Sequence, residues 1–257
     1  MHLNIEKVLF GFFLVLPGCV FAAETQVLEE VVVTATKRAS NLQDVPISVG
    51  VVTGEFMDTF DIKDISDAQN FIPGLQVQQT FGSWAVRIRG LGSGITNLAF
   101  DSSVPVYVDD VYCGRGKCME SAFLDIERLE VARGPQGALF GKSTIAGAVS
   151  AVSAKPTDEF EARLKVGSEL EYGGSTVSGY LSGALSDTVR ARLAFKMSDL
   201  DGYTDNIALG IEDGGQEISA ARFSIDWDAG ENTSIYLKIE TGESNTDGRN
   251  NQLVAAG

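Results

Sequence analysis

From Glu161 to Glu240 the chain alternates apolar and polar positions with period two. In Glu161 to Glu171, Ala162, Leu164, Val166 and Leu170 are apolar, while Arg163, Lys165 and Glu169 are charged. Val177, Leu181 and Leu185 alternate with Ser178, Tyr180 and Ser182. Ala191, Leu193, Phe195 and Met197 alternate with Arg190, Arg192, Lys196 and Ser198. Ala221, Phe223, Ile225 and Trp227 alternate with Arg222, Ser224 and Asp226, and Ile235, Leu237 and Ile239 with Tyr236, Lys238 and Glu240. The pattern predicts five antiparallel strands, each with one apolar face. Segments of about ten residues with this pattern match the strands of membrane β-barrels, and a soluble antiparallel sheet or sandwich is the alternative. Two links, Ser186 to Val189 and Asp228 to Asn232, are short, whereas Asp199 to Gln216 is long and rich in Gly, Asp and Asn. Membrane barrels have short turns at one end and longer loops at the other. The short link Tyr172 to Ser175 falls at the long-loop end, so the agreement is partial.

Before Pro156 the elements are shorter and mixed. Glu29 to Thr36 (EEVVVTAT) favours extended structure through its valines and threonines. Lys37 to Gln43 is polar and reads as a linker. Ile47 to Val52, Leu75 to Gln79, Trp84 to Arg89 and Val104 to Val108 are strand candidates. Thr53 to Phe60 and Asp64 to Ile72 read as short helices, with Asp64 as cap and Pro73-Gly74 as stop. On the second helix Ile65, Ala68 and Phe71 fall on one face and are expected to pack on a sheet. Without a regular βαβ period, the region of about 110 residues is expected to be an α+β globule.

Composition narrows the chemistry. The 257 residues carry 35 acids against 20 bases, a formal net charge of −15, which argues against a phosphate-backbone binder and hence against nucleic acid. The apolar run Val8 to Leu16, followed by Val20 and Ala22, reads as a secretory leader cleaved before Ala23. A lipobox reading competes, because Leu16, Pro17 and Gly18 precede Cys19. The only histidine, His2, would leave with residues 1–22. That excludes histidine-based triads, dyads, zinc sites and haem ligation. Cys113 and Cys118, separated by Gly114, Arg115, Gly116 and Lys117, are a candidate disulfide in an oxidising compartment, with free thiols as the alternative.

Two motif near-misses read as turns. Gly90, Gly92 and Gly94 would need glycine at Ile95 to make a dinucleotide loop, and Gly141-Lys142-Ser143 has Gln136 where a P-loop needs its first glycine. Asp109-Asp110, at a strand end, reads as a solvated turn. No catalytic constellation emerges, and neither an enzyme nor a cofactor is expected.

Several phrases in fixed order carry more. They are Glu29 to Thr36, Leu42 to Ser48 (LQDVPIS), Phe71 to Leu75 (FIPGL), Arg87 to Gly90 (RIRG), Val106 to Asp110 (VYVDD), Glu127 to Val131 (ERLEV) and Arg133 to Gly141 (RGPQGALFG). With these phrases the chain resembles the N-terminal part of TonB-dependent outer-membrane receptors. The resemblance implies a leader at 1–22, a TonB box and linker at 23–45, a plug at 46–156 and about five strands of an incomplete barrel at 157–257. It implies a 22-stranded barrel closed by the plug, which takes up a scarce nutrient such as a ferric siderophore, cobalamin or a glycan. The expected partners are a TonB-type energy-transducing protein, outer-membrane lipid and the nutrient ligand.

On the resemblance, Glu29, Glu30, Val31, Val32, Val33, Thr34, Ala35 and Thr36 form the box, a flexible peptide that adds as a strand to its partner's sheet edge. Arg87 and Arg89, alternating with Val86 and Ile88, would belong to plug-to-barrel contacts satisfied by an acidic lumen. With Gly90 they belong to the plug motif, as do Arg133, Gly134, Pro135, Gly137 and Gly141, whose glycines would allow tight turns beside a packed wall. Tyr112 to Lys117 corresponds to a ligand-side loop that the disulfide would stiffen. Departures occur at Ser143, Ala146 and Ser150, where the family's run carries Asn, Gly and Asn. The 101 residues after Pro156 are too few for a whole barrel, so a fragment or truncated product is expected. The box begins close to the expected cleavage point, which leaves no room for an added signalling domain. A secreted adhesin or structural β protein is the competing reading, with a periplasmic enzyme behind it.

Overall fold

A computed structural model describes residues 32–34, 37–38, 40–80, 83–92, 102–113, 123–171, 173–207 and 210–247. The expected leader, Glu29, Glu30, Val31, Ala35, Thr36 and Cys118 lie outside the described residues.

The first elements are two short antiparallel strands, β1 (Val32–Val33) and β2 (Ser40–Asn41). The expected linker thus contributes a strand: Val33 is fully buried, and burial of an apolar side chain favours holding this stretch against the plug. β3 (Ser48–Thr53) leads into α1 (Gly54–Thr59), which Thr53 caps by accepting from the Phe56 amide at 3.3 Å. α2 (Ile65–Ala68) is capped by Asp64, whose carboxylate accepts from the Asp67 amide at 3.0 Å. α2 is shorter than the expected Asp64 to Ile72. The Gln69 side chain turns away to accept from the Val77 amide at 3.0 Å, and the chain passes into turns before Pro73. The helical period therefore breaks after Ala68. Phe71 is 40% exposed, and Ile72 is buried in the place expected for it.

A hairpin follows, β4 (Leu75–Thr80) with β5 (Ser83–Ile88), and then a tighter one, β6 (Val106–Val108) with β7 (Val111–Cys113). β8 (Ile126–Arg133), α3 (Gly137–Phe140) and β9 (Gly147–Ser153) complete the plug. Its five-stranded sheet has the order β3-β8-β9-β6-β7, with β6 and β9 parallel and the other pairs antiparallel. Val52, Ile65, Ile72, Ile88, Leu129 and Val149 meet in one apolar core beneath it. The α+β expectation for this region agrees with the structure.

β10 (Glu161–Ser168), β11 (Gly174–Ser186) and β12 (Val189–Leu200) come next. A small hairpin, β13 (Thr204–Asn206) with β14 (Ile211–Asp213), sits within the long link. β15 (Gln216–Gly230) and β16 (Thr233–Thr246) finish the described chain. The wall sheet is an antiparallel meander in the order β10-β11-β12-β15-β16, which gives the five predicted strands. Plug and wall strands belong to one structural unit.

Candidate plug-to-wall interface and box anchorage

Period two gives each wall strand two faces, and the charged one turns toward the plug. Arg192 grips Asp125, just before β8, through two hydrogen bonds of 2.6 Å, and its guanidinium lies 3.8 Å from the centre of the Tyr180 ring. Arg222 is 2% exposed; it donates to the Leu124 carbonyl at 2.7 Å and pairs with Glu240 on β16 at 2.7 Å. Arg163 pairs with Asp58 of α1, and Lys165 pairs with Asp61 at 2.6 Å. Lys238 pairs with Asp109. A cavity of about 240 Å³ separates the two layers between the Asp58–Lys63 segment, Phe123–Ile126 and β10 to β12.

The Lys165 hydrogen bond, opposed by partial burial, holds the Asp61 carboxyl below the usual carboxylate range. Burial pushes Asp109 up, but hydrogen bonds from Lys238 and Ser153 outweigh it, and the group also lies below that range. Burial raises Asp64, because its bonds to backbone amides do not fully offset desolvation. Among the described residues, then, the ion pairs between the layers join an acidic plug to a basic wall. In these contacts the plug supplies the acids and the wall the bases.

Among the described residues, none covers the other face of the wall. Leu164 is 68% exposed, Met197 62% and Ile239 60%, and Leu193, Phe223, Trp227 and Leu237 are also exposed. A soluble sandwich would turn these side chains into its core and leave the arginines outside. The arrangement is the opposite.

The predicted site residues separate into groups. Arg87 donates to Gln78 on the neighbouring strand at 3.3 Å. Arg89 does not continue the alternation: it follows β5 with φ of 53°, in a turn completed by Gly90. Arg133 ends β8 and reaches the Pro73 carbonyl at 3.3 Å, and Pro135 lies in the turn after it. Gly134 (φ 96°) and Gly141 (φ 79°) adopt left-handed conformations, but a Cβ there would meet nothing within 4 Å, so turn geometry rather than a packed wall requires glycine. Gly137 simply opens α3. The close approach is at Gly147, where a Cβ would stand 2.2 Å from the Ala132 carbonyl oxygen. Cys113 is disulfide-bonded, and Cys118 lies outside the described residues.

The described part of the box is held, where a flexible peptide was expected. The Thr34 amide and hydroxyl donate to the Glu130 carboxylate at 2.8 and 3.2 Å. Arg128 donates to the same oxygen at 2.7 Å and to Thr34 Oγ1 at 3.3 Å. Arg128 and Glu130 are buried on β8, where they pair with each other and with Thr34, and Arg128 also pairs with Glu127. No sequence signal marks this anchor, because Arg128 and Glu130 look like ordinary surface charges until β8 places them inside the plug. Asp109 was missed for a related reason: the supposed solvated turn is tied to Lys238, which lies 129 residues away in sequence.

Residues 41–148 match the model of the TonB-dependent receptor plug domain. The iron-regulated outer membrane virulence protein of Vibrio cholerae is 25% identical over 236 residues, covering 88% of this chain and 35% of that protein. The vitamin B12 transporter BtuB of Photobacterium profundum is 27% identical over 191 residues, covering 74% of this chain and 31% of that protein. The crystal structure of the ferripyoverdine receptor of the outer membrane of Pseudomonas aeruginosa superposes with a TM-score of 0.68 at 19% identity, covering 87% of this chain and 31% of that one. The chain thus spans about a third of the length of these relatives. Over residues 41–148 it belongs to the TonB-dependent receptor plug domain family, and the opening strands of an incomplete barrel follow.

Proposed function

We propose that this chain is the plug and first wall strands of an energy-coupled outer-membrane receptor that takes up a scarce nutrient of the ferric siderophore, cobalamin or glycan class. One observation carries the reading: the wall sheet turns its arginines and lysines toward the plug and leaves its leucines, phenylalanine and tryptophan uncovered. Lipid is the solvent that makes this face favourable, whereas water would penalise it. The relatives' names span iron and vitamin B12, which supports the substrate range without selecting within it. Glu29 to Thr36 is the segment offered to a TonB-type energy-transducing protein. Backbone pairing would carry that contact, so Val32 and Val33 must leave β2 before they add to another sheet edge. Cys113 pairs with Cys118 to close the ligand-side loop.

The test is site-directed cross-linking at Val32 in the receptor carrying this chain, with the C-terminal domain of the energy transducer as partner. The reading predicts an adduct that Val33→Pro abolishes, since proline removes a backbone donor. A folded receptor that gives no adduct would overturn it.

A further inference from the structure

The turn between β6 and β7 makes contacts on two sides. Val108 pairs with Val111, so Asp109 and Asp110 are the two central residues, with φ of 47° and 67°. Both are left-handed, the geometry of a two-residue hairpin turn, and glycine would adopt it at less cost than aspartate. The carboxylates have separate partners. Asp109 accepts from the Ser153 amide and hydroxyl, both at 2.7 Å, and pairs with Lys238 on β16. Asp110 pairs with Lys37 at 2.5 Å.

Lys37 lies three residues beyond Thr34. Its amide donates to the Thr34 carbonyl at 2.7 Å, and its own φ is 61°. The ammonium sits 4.5 Å from the centre of the Phe140 ring and 5.0 Å from that of Tyr107. Tyr107 donates to the Phe140 carbonyl at 2.5 Å, which fixes the two rings relative to each other. An ion pair to the exposed Asp110 would by itself contribute little. The two ring faces add a cation–π site and define where the ammonium must sit.

We propose that Asp109–Asp110 is a positioning turn that couples the box to the barrel wall. Lys37, caged by Phe140, Tyr107 and Asp110, latches the exit of the box onto the plug. Asp109 fixes the same turn to β16 through Lys238. A pull that lifts Lys37 therefore loads the Asp109–Lys238 contact, and loss of that contact loosens the latch. The proposal rests on reading Glu29 to Thr36 as the energy-coupling box.

The experiment introduces V33C, at a fully buried position of the box, into the receptor carrying this chain and follows its maleimide labelling in outer-membrane vesicles. The conditions are non-reducing, without the energy transducer, and the same receptor without the new cysteine is the blank. K37M is expected to speed labelling about tenfold, the loss of one partly buried cation–π site with its ion pair. K238M touches no atom of Lys37, yet it is expected to speed labelling about threefold, with K238R restoring the slow rate. Acceleration by K37M but not by K238M or D109N would overturn the coupling. No acceleration by K37M would overturn the latch. A receptor that fails to cross-link to its transducer yet shows these labelling changes would refute the box reading and leave the turn's role standing.

Discussion

In the plug sheet Val131 lies opposite Val149, and both are fully buried. In the wall sheet Leu193 lies opposite Phe223 and Phe223 opposite Ile239, and the three are 46%, 39% and 60% exposed. Both rows are cross-strand apolar ladders. What differs is the neighbouring row. In the wall it holds Arg192, Arg222 and Glu240, which find partners among plug carboxylates, carbonyls and each other. In the plug the adjacent positions are themselves buried, and Arg128 and Glu130 pair within the domain. Alternation says only that a strand has two faces. Which face turns inward depends on where its charges find partners.

Several measurements would break or sharpen this contrast, and the largest effect is expected at the buried wall arginine. Arg222→Met strands Glu240 and the Leu124 carbonyl without their donor, and should cost about 4 kcal/mol in denaturant unfolding of detergent-refolded protein. R222M combined with E240Q should recover part of that loss. If R222M proves neutral, the inward face is not a working contact.

Next come paired deletions of the two apolar rows. Leu129→Ala, in the plug core at 1% exposure, should cost about 3 kcal/mol, because it leaves a cavity. Leu193→Ala on the wall should cost less than about 1 kcal/mol in detergent, where the surrounding solvent fills the space. Equal costs would erase the difference between the sheets.

Acid should act on the wall contact before it acts on the plug core. Asp109 has a folded pKa below its ordinary value of 3.8, so the stability it contributes is fully present above that value and is lost as pH falls through the lower, folded value. The unfolding midpoint of the native protein should fall in this acidic window, and D109N should flatten that limb. A loss centred near neutral pH would contradict the assignment. The smallest effect is expected at Arg163→Met. Its pair with Asp58 is about half exposed, so the loss should stay under about 1 kcal/mol and shrink further in high salt.

The sequence made the wall more legible than the plug. β10, β11, β12, β15 and β16 show unbroken period two with charges on one side, and the predicted segments fall within the observed strands or overlap them. β8 and β9 lie at the centre of the plug sheet and were not predicted as strands. β9 is buried on both faces, is built of Gly, Ala, Val and Ser and lacks alternation, while the alternation of β8 covers only Arg128 to Val131 and both of its faces are buried there. The helix ending at Ala68 was overextended because Gln69 has a tertiary partner in Val77, which local propensity does not reveal. At the interface, the residue types were visible and their pairing was not. Arg87 and Arg89 attracted notice as plug cations, while the partners of Arg192, Arg222 and Lys238 lie 67, 98 and 129 residues away. Asp109 and Asp110 looked like an ordinary turn for the same reason.

The central claim is that the uncovered face of the wall meets lipid. The chain has two tryptophans: Trp227 on that face and Trp84, which packs against the plug core. In the receptor carrying this chain, Trp84→Phe together with replacement by Phe of every tryptophan outside these 257 residues makes Trp227 the sole reporter. In the receptor reconstituted into vesicles, lipids with brominated acyl chains should quench its fluorescence strongly, and aqueous iodide should quench it little. Strong quenching by iodide with none by brominated lipid would place this face in water and contradict the account.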